Sequence, residues 1–324
     1  MKKAKFITIV FALITVIISC NLRGSNIGTD TNPLILEILT PSPVGAVINH
    51  INNVAKFIES ESGLKTAIYA PKRSIEYIQA LSQSSPKADV AILNDTGYLF
   101  ANDEFGATAE LITLRSDGGN KTISSYCPAI VSITLSSIDD LNGHSIAFSD
   151  EYSTAGYLVP LYTLREKGIK PSRVIFAGGY IEALRQLLNG AVDAAPIYTS
   201  CEGMNNELDT RNILTNEYPD IFTRTKIIYK ARPVPNEPVV FRKNIPQKIK
   251  ERVINALLRC PEDRVCRDSL YSINKVRGFK RVSGEEYNYL RAIIKSLEKD
   301  TADLIPGGWV LRIKNTYELP RTGN

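Results

Sequence analysis

The stretch Ser149-Asp150-Glu151-Tyr152-Ser153-Thr154-Ala155-Gly156-Tyr157-Leu158-Val159-Pro160 decides how the rest of the chain is read. It follows an apolar run, Ser145–Phe148, that reads as a strand, and Leu158–Lys167 then falls at helical spacing up to Gly168. A strand that passes into a helix through hydroxyl residues makes an anion site. The first amides of the helix have no intrahelical partner, and the positive end of its dipole points the same way. Hydrogen bonds to a charged group are worth about 1.5–3 kcal/mol each, so a handful holds a small oxyanion without a full balancing charge. Gly156 is expected to let a ligand approach the backbone. Plain N-capping by Ser153 or Thr154 accounts for the same hydroxyls, and the residues alone leave both readings open.

Outward from this stretch, short apolar strands alternate with amphipathic helices, which marks an α/β chain. Leu34–Leu39 reads as a buried strand ended by Pro41 and Pro43. Val47, Ile48, Ile51, Val54, Ala55 and Ile58 fall at helical spacing before Gly63. Strands are expected over Thr66–Ala70 and Ala88–Leu93, with a helix over Ser74–Leu81 between them, giving a βαβαβ unit. The theme repeats with strands at Ala129–Leu135, Val174–Phe176 and Asp193–Ile197 and a helix at Ile181–Leu188. Pro238–Arg242 reads as a strand leading away, and helices at about 246–258 and 284–298, without strands of their own, are expected to pack on the first lobe.

Length and composition frame the function classes. The 324 residues, 44% of them hydrophobic, suffice for two lobes. The net charge of +5 owes three units to Lys2, Lys3 and Lys5, so nucleic-acid binding gets no support. Residues 1–19 combine that charged start with an apolar run, Phe6–Ile18, of secretory rather than membrane-spanning length. Val16-Ile17-Ile18-Ser19-Cys20 resembles a bacterial lipoprotein box, which implies lipidation at Cys20, a membrane anchor and a place in the cell envelope facing the periplasm or exterior. Residues 20–32 are expected to be a polar tether. Leu319-Pro320-Arg321-Thr322-Gly323 matches a sortase signal by letter but has no apolar span after it. Cys127, Cys201, Cys260 and Cys266 allow three pairings in an exported protein, or free buried thiols. Cys260 and Cys266 bracket a short loop, and Cys127 and Cys201 both fall mid-chain. No metal cluster, cofactor motif or nucleophile–base pair is legible, so neither an enzyme nor a cofactor is expected.

Further residues carry a resemblance. Leu141-Asn142-Gly143, Ile146-Ala147-Phe148 and Ser153-Thr154-Ala155-Gly156-Tyr157 come first. They are followed by Val174-Ile175-Phe176-Ala177-Gly178-Gly179-Tyr180, Leu187-Leu188-Asn189-Gly190-Ala191-Val192-Asp193-Ala194 and Pro233-Val234-Pro235-Asn236-Glu237-Pro238-Val239-Val240. In this order they resemble the phosphate/phosphonate-binding proteins of ABC importers. With Pro41-Ser42-Pro43 and Ala88–Leu93 upstream, the likeness covers about residues 34–260. It implies a two-lobed periplasmic-binding-protein fold of the two-crossover type with the ligand in the cleft. Lobe 1 would be 33–125 plus 232–324, and lobe 2 would be 126–231. It further implies a monomer that captures a small phosphorus oxyanion and presents it to an ABC permease. The alternative on the same fold is a ligand-sensing partner of a membrane receptor, or a surface lipoprotein without a transport role.

The departures bear on the ligand. Ala155 stands where a third hydroxyl is usual, and Tyr180 where a histidine is usual. Arg73 replaces a first-lobe tyrosine and is either a restored positive charge or a solvated helix-start arginine. Tyr98, Tyr126 and Tyr157 are candidates to line the cleft. Glu182 and Asp193 are candidates to receive an amine, or a first-turn acid and a strand-start turn residue. Asn94-Asp95-Thr96-Gly97 lies where α/β clefts bind ligands, or caps a helix.

Overall fold

The computed structural model describes residues 26–40, 44–71, 74–116, 121–201 and 208–297, together with positions 299 and 303. The signal segment 1–19, Cys20, Pro41-Ser42-Pro43, Arg73 and the C-terminal 319–323 lie outside these described residues.

Two sheets organise the chain. In the first, β1 (Leu34–Ile38) lies between β2 (Thr66–Ile68) and β3 (Val90–Ile92), all parallel. Helices α1 (Val44–Ser62) and α2 (Ser74–Gln79) make the connections. Three antiparallel strands extend it: β12 (Pro238–Phe241) beside β3, β4 (Thr108–Ser116) beside β12, and β13 (Gly278–Arg281) at the edge. The short β5 (Thr122–Ile123) pairs with the end of β4. The second sheet runs β10 (Lys226–Lys230), β6 (Ser125–Ser132), β9 (Ala194–Thr199), β7 (Ser145–Phe148), β8 (Arg173–Phe176), with β11 (Val234–Pro235) on the start of β6. The chain passes between the sheets twice, from β5 to β6 and from β11 to β12.

The pattern of the first sheet follows from alternation along a strand. Leu34, Leu36 and Ile38 face a core with Val47, Ile51, Val54 and Ile58 of α1, and with apolar residues of α7 (Gln247–Arg259) and α8 (Arg264–Asn274). Gly63, at φ +64, ends α1 by donating its amide to the Glu59 carbonyl at 2.8 Å, in the left-handed conformation that favours glycine. Ile35 and Leu39 face the opposite core, built on α3 (Asp95–Phe105) and α9 (Asn288–Ser296). Leu158 and Val159, from the chain around the second sheet, enter that same core. Two smaller cores cover the faces of the second sheet, one of them under α5 (Tyr180–Leu188) and α6 (Ile221–Arg224).

Several expectations change. The segment read as tether is folded from residue 26 onward. Ile27 is buried in the α1 core, and Lys65 donates its amide to the Gly28 carbonyl at 2.8 Å. The C-terminal region does contribute a strand, β13, because Gly278–Arg281 finds a free edge on β4. The expected strands over Thr66–Ala70 and Ala88–Leu93 are shorter, since only Thr66–Ile68 and Val90–Ile92 pair with β1. Cys127 is bonded to Cys201 and Cys260 to Cys266, with Cα–Cα separations of 5.0 and 5.4 Å.

Candidate functional site

The Ser153–Gly156 turn is built by one proline and one glycine. Ser153 has extended backbone (φ −79, ψ 125), and its Oγ accepts the Gly156 amide at 2.9 Å, a standard N-cap. The first turn, Thr154–Leu158, is π-wide: the Val159 amide reaches back to the Thr154 carbonyl. Pro160 supplies the reason. It has no N–H for the Gly156 carbonyl four residues earlier, and that carbonyl instead accepts the Ser149 amide at 3.1 Å. The strand end and the helix start are thereby tied together before α4 (Val159–Glu166) begins. A Cβ on residue 156 would stand 2.7 Å from Ser149 Cβ and 2.8 Å from Ser153 Oγ. The glycine is thus required by Ser149 packed beneath it, rather than by the approach of a ligand. A helix start of this kind leaves the Thr154 and Ala155 amides without intrahelical partners.

The start of α3, on the first sheet, faces this turn. Asn94 caps α3 by accepting the Gly97 amide at 2.9 Å, and its Nδ2 donates to the Tyr152 carbonyl at 3.2 Å. Thr96 Oγ1 and Thr154 Oγ1 are 3.0 Å apart. Tyr126, at the crossover into β6, donates its hydroxyl to Asp95 Oδ2 at 2.9 Å. Farther out, Arg165 Nη1 donates to the Leu297 carbonyl at 3.0 Å. The two sheets therefore meet through polar contacts at the C-terminal ends of β3 and β7, the end at which open α/β sheets bind ligands.

Burial sets the electrostatics of this seam. It drives the Asp95 carboxyl well above the usual carboxylate range, and Glu237 adds to the rise. The Tyr126 hydrogen bond, Arg115 and Thr154 oppose it without cancelling it. Asp95 is 2% exposed, and its Oδ1 has no hydrogen-bond partner among the described residues. Glu237 behaves oppositely: burial raises it, but Arg115 at 2.7 Å holds it below the usual range. Burial likewise opposes the charge on Arg115 and Glu237 more than restores it. The guanidinium that reaches Asp95 is thus committed to another carboxylate. Burial also pushes the Tyr180 hydroxyl up, so it stays protonated 2.6 Å from Ser153 Oγ.

The structure gathers some of the sequence candidates and disperses others. Ser153, Thr154, Ala155, Gly156, Tyr180, Tyr126 and Asn94 all belong to the seam, with Ala155 buried in it. Tyr157 packs edge-on against Phe148 and Phe176, with ring centroids at 5.3 and 5.1 Å. Tyr98 is core, edge-on to Tyr287 at 4.9 Å. Asp193 is not in the seam. It accepts from the Ser145 amide at 2.8 Å and the Ser145 hydroxyl at 2.6 Å, at the start of β7, whereas the turn follows the end of that strand. Those bonds hold its carboxyl below the usual range, as suits a strand-start tie. Glu182 pairs with Arg185 at 3.0 Å on the surface. Arg73 lies outside the described residues. Asp95 and Thr96 of the Asn94–Gly97 segment also lie in the seam. Tyr198, edge-on to both Tyr126 (6.2 Å) and Tyr180 (5.3 Å), was not singled out in the sequence.

Comparison with known proteins follows the same line. The phosphonates-binding periplasmic protein of Escherichia coli strain K12 is 25% identical over 228 residues, 66% of this chain and 62% of that protein's length. A binding-protein component of an ABC phosphonate transporter from Pseudomonas aeruginosa superposes with a TM-score of 0.62 at 16% identity, covering 80% of this chain and 84% of its own. A Prochlorococcus marinus structure in complex with methylphosphonate gives a TM-score of 0.64 at 14% identity, covering 85% and 99%. These solved structures share the two-lobed binding-protein fold. The sequence profile that matches residues 44–287, from α1 to the threshold of α9, is described as ABC transporter, phosphonate, periplasmic substrate-binding protein, and the chain belongs to that family.

Proposed function

We propose that this chain is an extracytoplasmic lipoprotein that captures a phosphonate, or a closely related small phosphorus oxyanion, and delivers it to an ABC permease. Residues 1–19 are removed and Cys20 carries the lipid anchor. The ligand lies between a lobe of residues 33–125 plus 232–324 and a lobe of residues 126–231. The protein acts as a monomer, without a cofactor and without breaking a bond.

One observation carries the reading: the hydroxyl-bearing helix start at Ser153–Gly156 faces the start of α3 across two crossovers, with Thr154 and Thr96 in contact. A ligand that bridges those two helix starts favours the closed arrangement, and closure is what a permease can recognise. The family description and the name of the Escherichia coli relative support the phosphonate class, as does the methylphosphonate held by the Prochlorococcus marinus neighbour. A specific observation favours the second reading, a sensor or ligand-free surface role. The Ser153 and Thr154 hydroxyls already have protein partners, Tyr180 and Thr96.

The test is a thermal-shift screen against phosphate, phosphite, sulfate, several phosphonates and small carboxylates. A ligand at about 100 times its Kd adds roughly 2.7 kcal/mol to stability, which a melting curve resolves. A selective shift with one phosphorus oxyanion supports capture. No shift with any of them removes the capture reading in favour of the second.

A further inference from the structure

We propose that Asp95 and the bound phosphorus oxyacid hold a single proton between them, with Asp95 Oδ1 facing a ligand oxygen and one of the two carrying the hydrogen. The inference rests on the phosphonate reading above and adds a specificity-determining residue to it. Asp95 is the first residue of α3, 2% exposed, with Oδ2 taken by the Tyr126 hydroxyl and Oδ1 unpartnered among the described residues. A buried acceptor oxygen without a donor is rare in a folded protein and marks a place where a partner is missing. The Thr154 hydroxyl of the opposing turn bears on the Asp95 carboxyl and touches its neighbour Thr96, so the carboxyl lies beside the anion site.

Two deprotonated groups cannot share that space, because like charges at hydrogen-bond distance repel strongly. One proton converts the clash into a short O–H···O bond. The groups that face Asp95 offer no other remedy. Tyr126 of β6, Thr154 of the turn and Tyr287 ahead of α9 bring neutral hydroxyls, Glu237 at the return crossover is an acid, and the charge of Arg115 at the end of β4 is committed to Glu237. An oxyacid that retains one ionisable O–H near neutral pH therefore suits this cleft.

The signature is linkage. As pH rises, free Asp95 and free ligand both lose protons, while the complex keeps one. At the alkaline end, binding must take up a proton, and Kd should rise about tenfold per pH unit. Titration calorimetry of the full chain with methylphosphonate, from pH 7 to about 9.5 in two buffers of different ionisation heat, reads both quantities. Uptake approaching one proton is expected for the wild type. In Asp95→Asn the amide N–H replaces the proton, so Kd should become flat at the alkaline end and the uptake should vanish. Should D95N fail to fold, Asp95→Ala serves instead: without the carboxyl the complex has no group to share a proton with, and the alkaline uptake should vanish. Wild-type binding without alkaline uptake overturns the inference, as does D95N or D95A that binds and keeps the wild-type slope. No heat and no melting shift with methylphosphonate at any pH overturns the phosphonate reading itself, a different result from binding without proton linkage.

Discussion

Ser153 and Thr154 are adjacent hydroxyl residues with different duties. The Ser153 oxygen already accepts the Gly156 amide, so it caps a helix whether or not a ligand is present. Thr154 caps nothing, and its hydroxyl meets Thr96 across the seam. Thr154→Ala should weaken phosphonate binding at least about tenfold, the equivalent of roughly 1.4 kcal/mol and the lower end for one hydrogen bond to a charged group. Its ligand-free melting temperature should stay near the wild-type value. Ser153→Ala should lose both affinity and about 1 kcal/mol of stability, because the cap goes with the hydroxyl. Calorimetry and melting curves on the two variants separate the roles; equal affinity in T154A and wild type would remove the anion site from this turn.

At the scale of elements, the π-wide start of the helix is the feature that positions the turn. It was half legible in the sequence. Ser153, Thr154 and Gly156 after an apolar strand announce a capped helix start, but the widening depends on Pro160 and on a distant acceptor arrangement in which Ser149 takes over the Gly156 carbonyl. Short-range periodicity carries no such information. The same limit explains Asp193, whose acid looked available but is consumed by Ser145, 48 residues away in sequence. It also explains Asp95: its type and place after the third strand were visible, but its burial and its unpartnered oxygen are products of the closed seam. The parallel core strands and α1 were legible because their apolar spacing is local, whereas edge strand β13 owes its existence to β4. The turn yields its own prediction. Gly156→Ala places a methyl against Ser149, and overpacking of this kind costs about 1–3 kcal/mol. Ser149→Gly in the same chain should return part of that loss, measured as a coupling energy in a double-mutant cycle by urea unfolding. Strict additivity of the two substitutions would show that Ser149 is not what demands the glycine.

The whole molecule answers to pH through a few buried carboxyls that pull in opposite directions. Glu37, on β1, is fully buried with neither carboxyl oxygen partnered among the described residues, and desolvation raises it well above the usual range. Asp95 is raised for the same leading reason. An acid whose folded pKa lies above its unfolded value makes the native state bind more protons. Stability then falls as pH climbs from the ordinary carboxylate range toward the folded pKa. Glu237, lowered overall by Arg115, acts the other way: its contribution is complete above the ordinary carboxylate range and is lost as pH drops through the depressed value. Glu59, Asp140, Asp193, Glu217 and Glu251 are lowered too and act in the same acid window. The two sets together place the maximum of ligand-free stability near about pH 5, above the window of the lowered acids and below the full cost of the raised ones. Glu37→Gln keeps the shape and removes the ionisation. At pH 5 it should melt close to the wild type. By pH 8 it should melt higher by several degrees, where about 1 kcal/mol corresponds to roughly 2–4 °C in a domain of 150–250 residues. Melting curves of both proteins from pH 4 to 8 provide the measurement. A wild-type curve that keeps rising to pH 8, or a difference from E37Q that does not grow with pH, would mean that Glu37 reaches a proton donor or solvent in the native state.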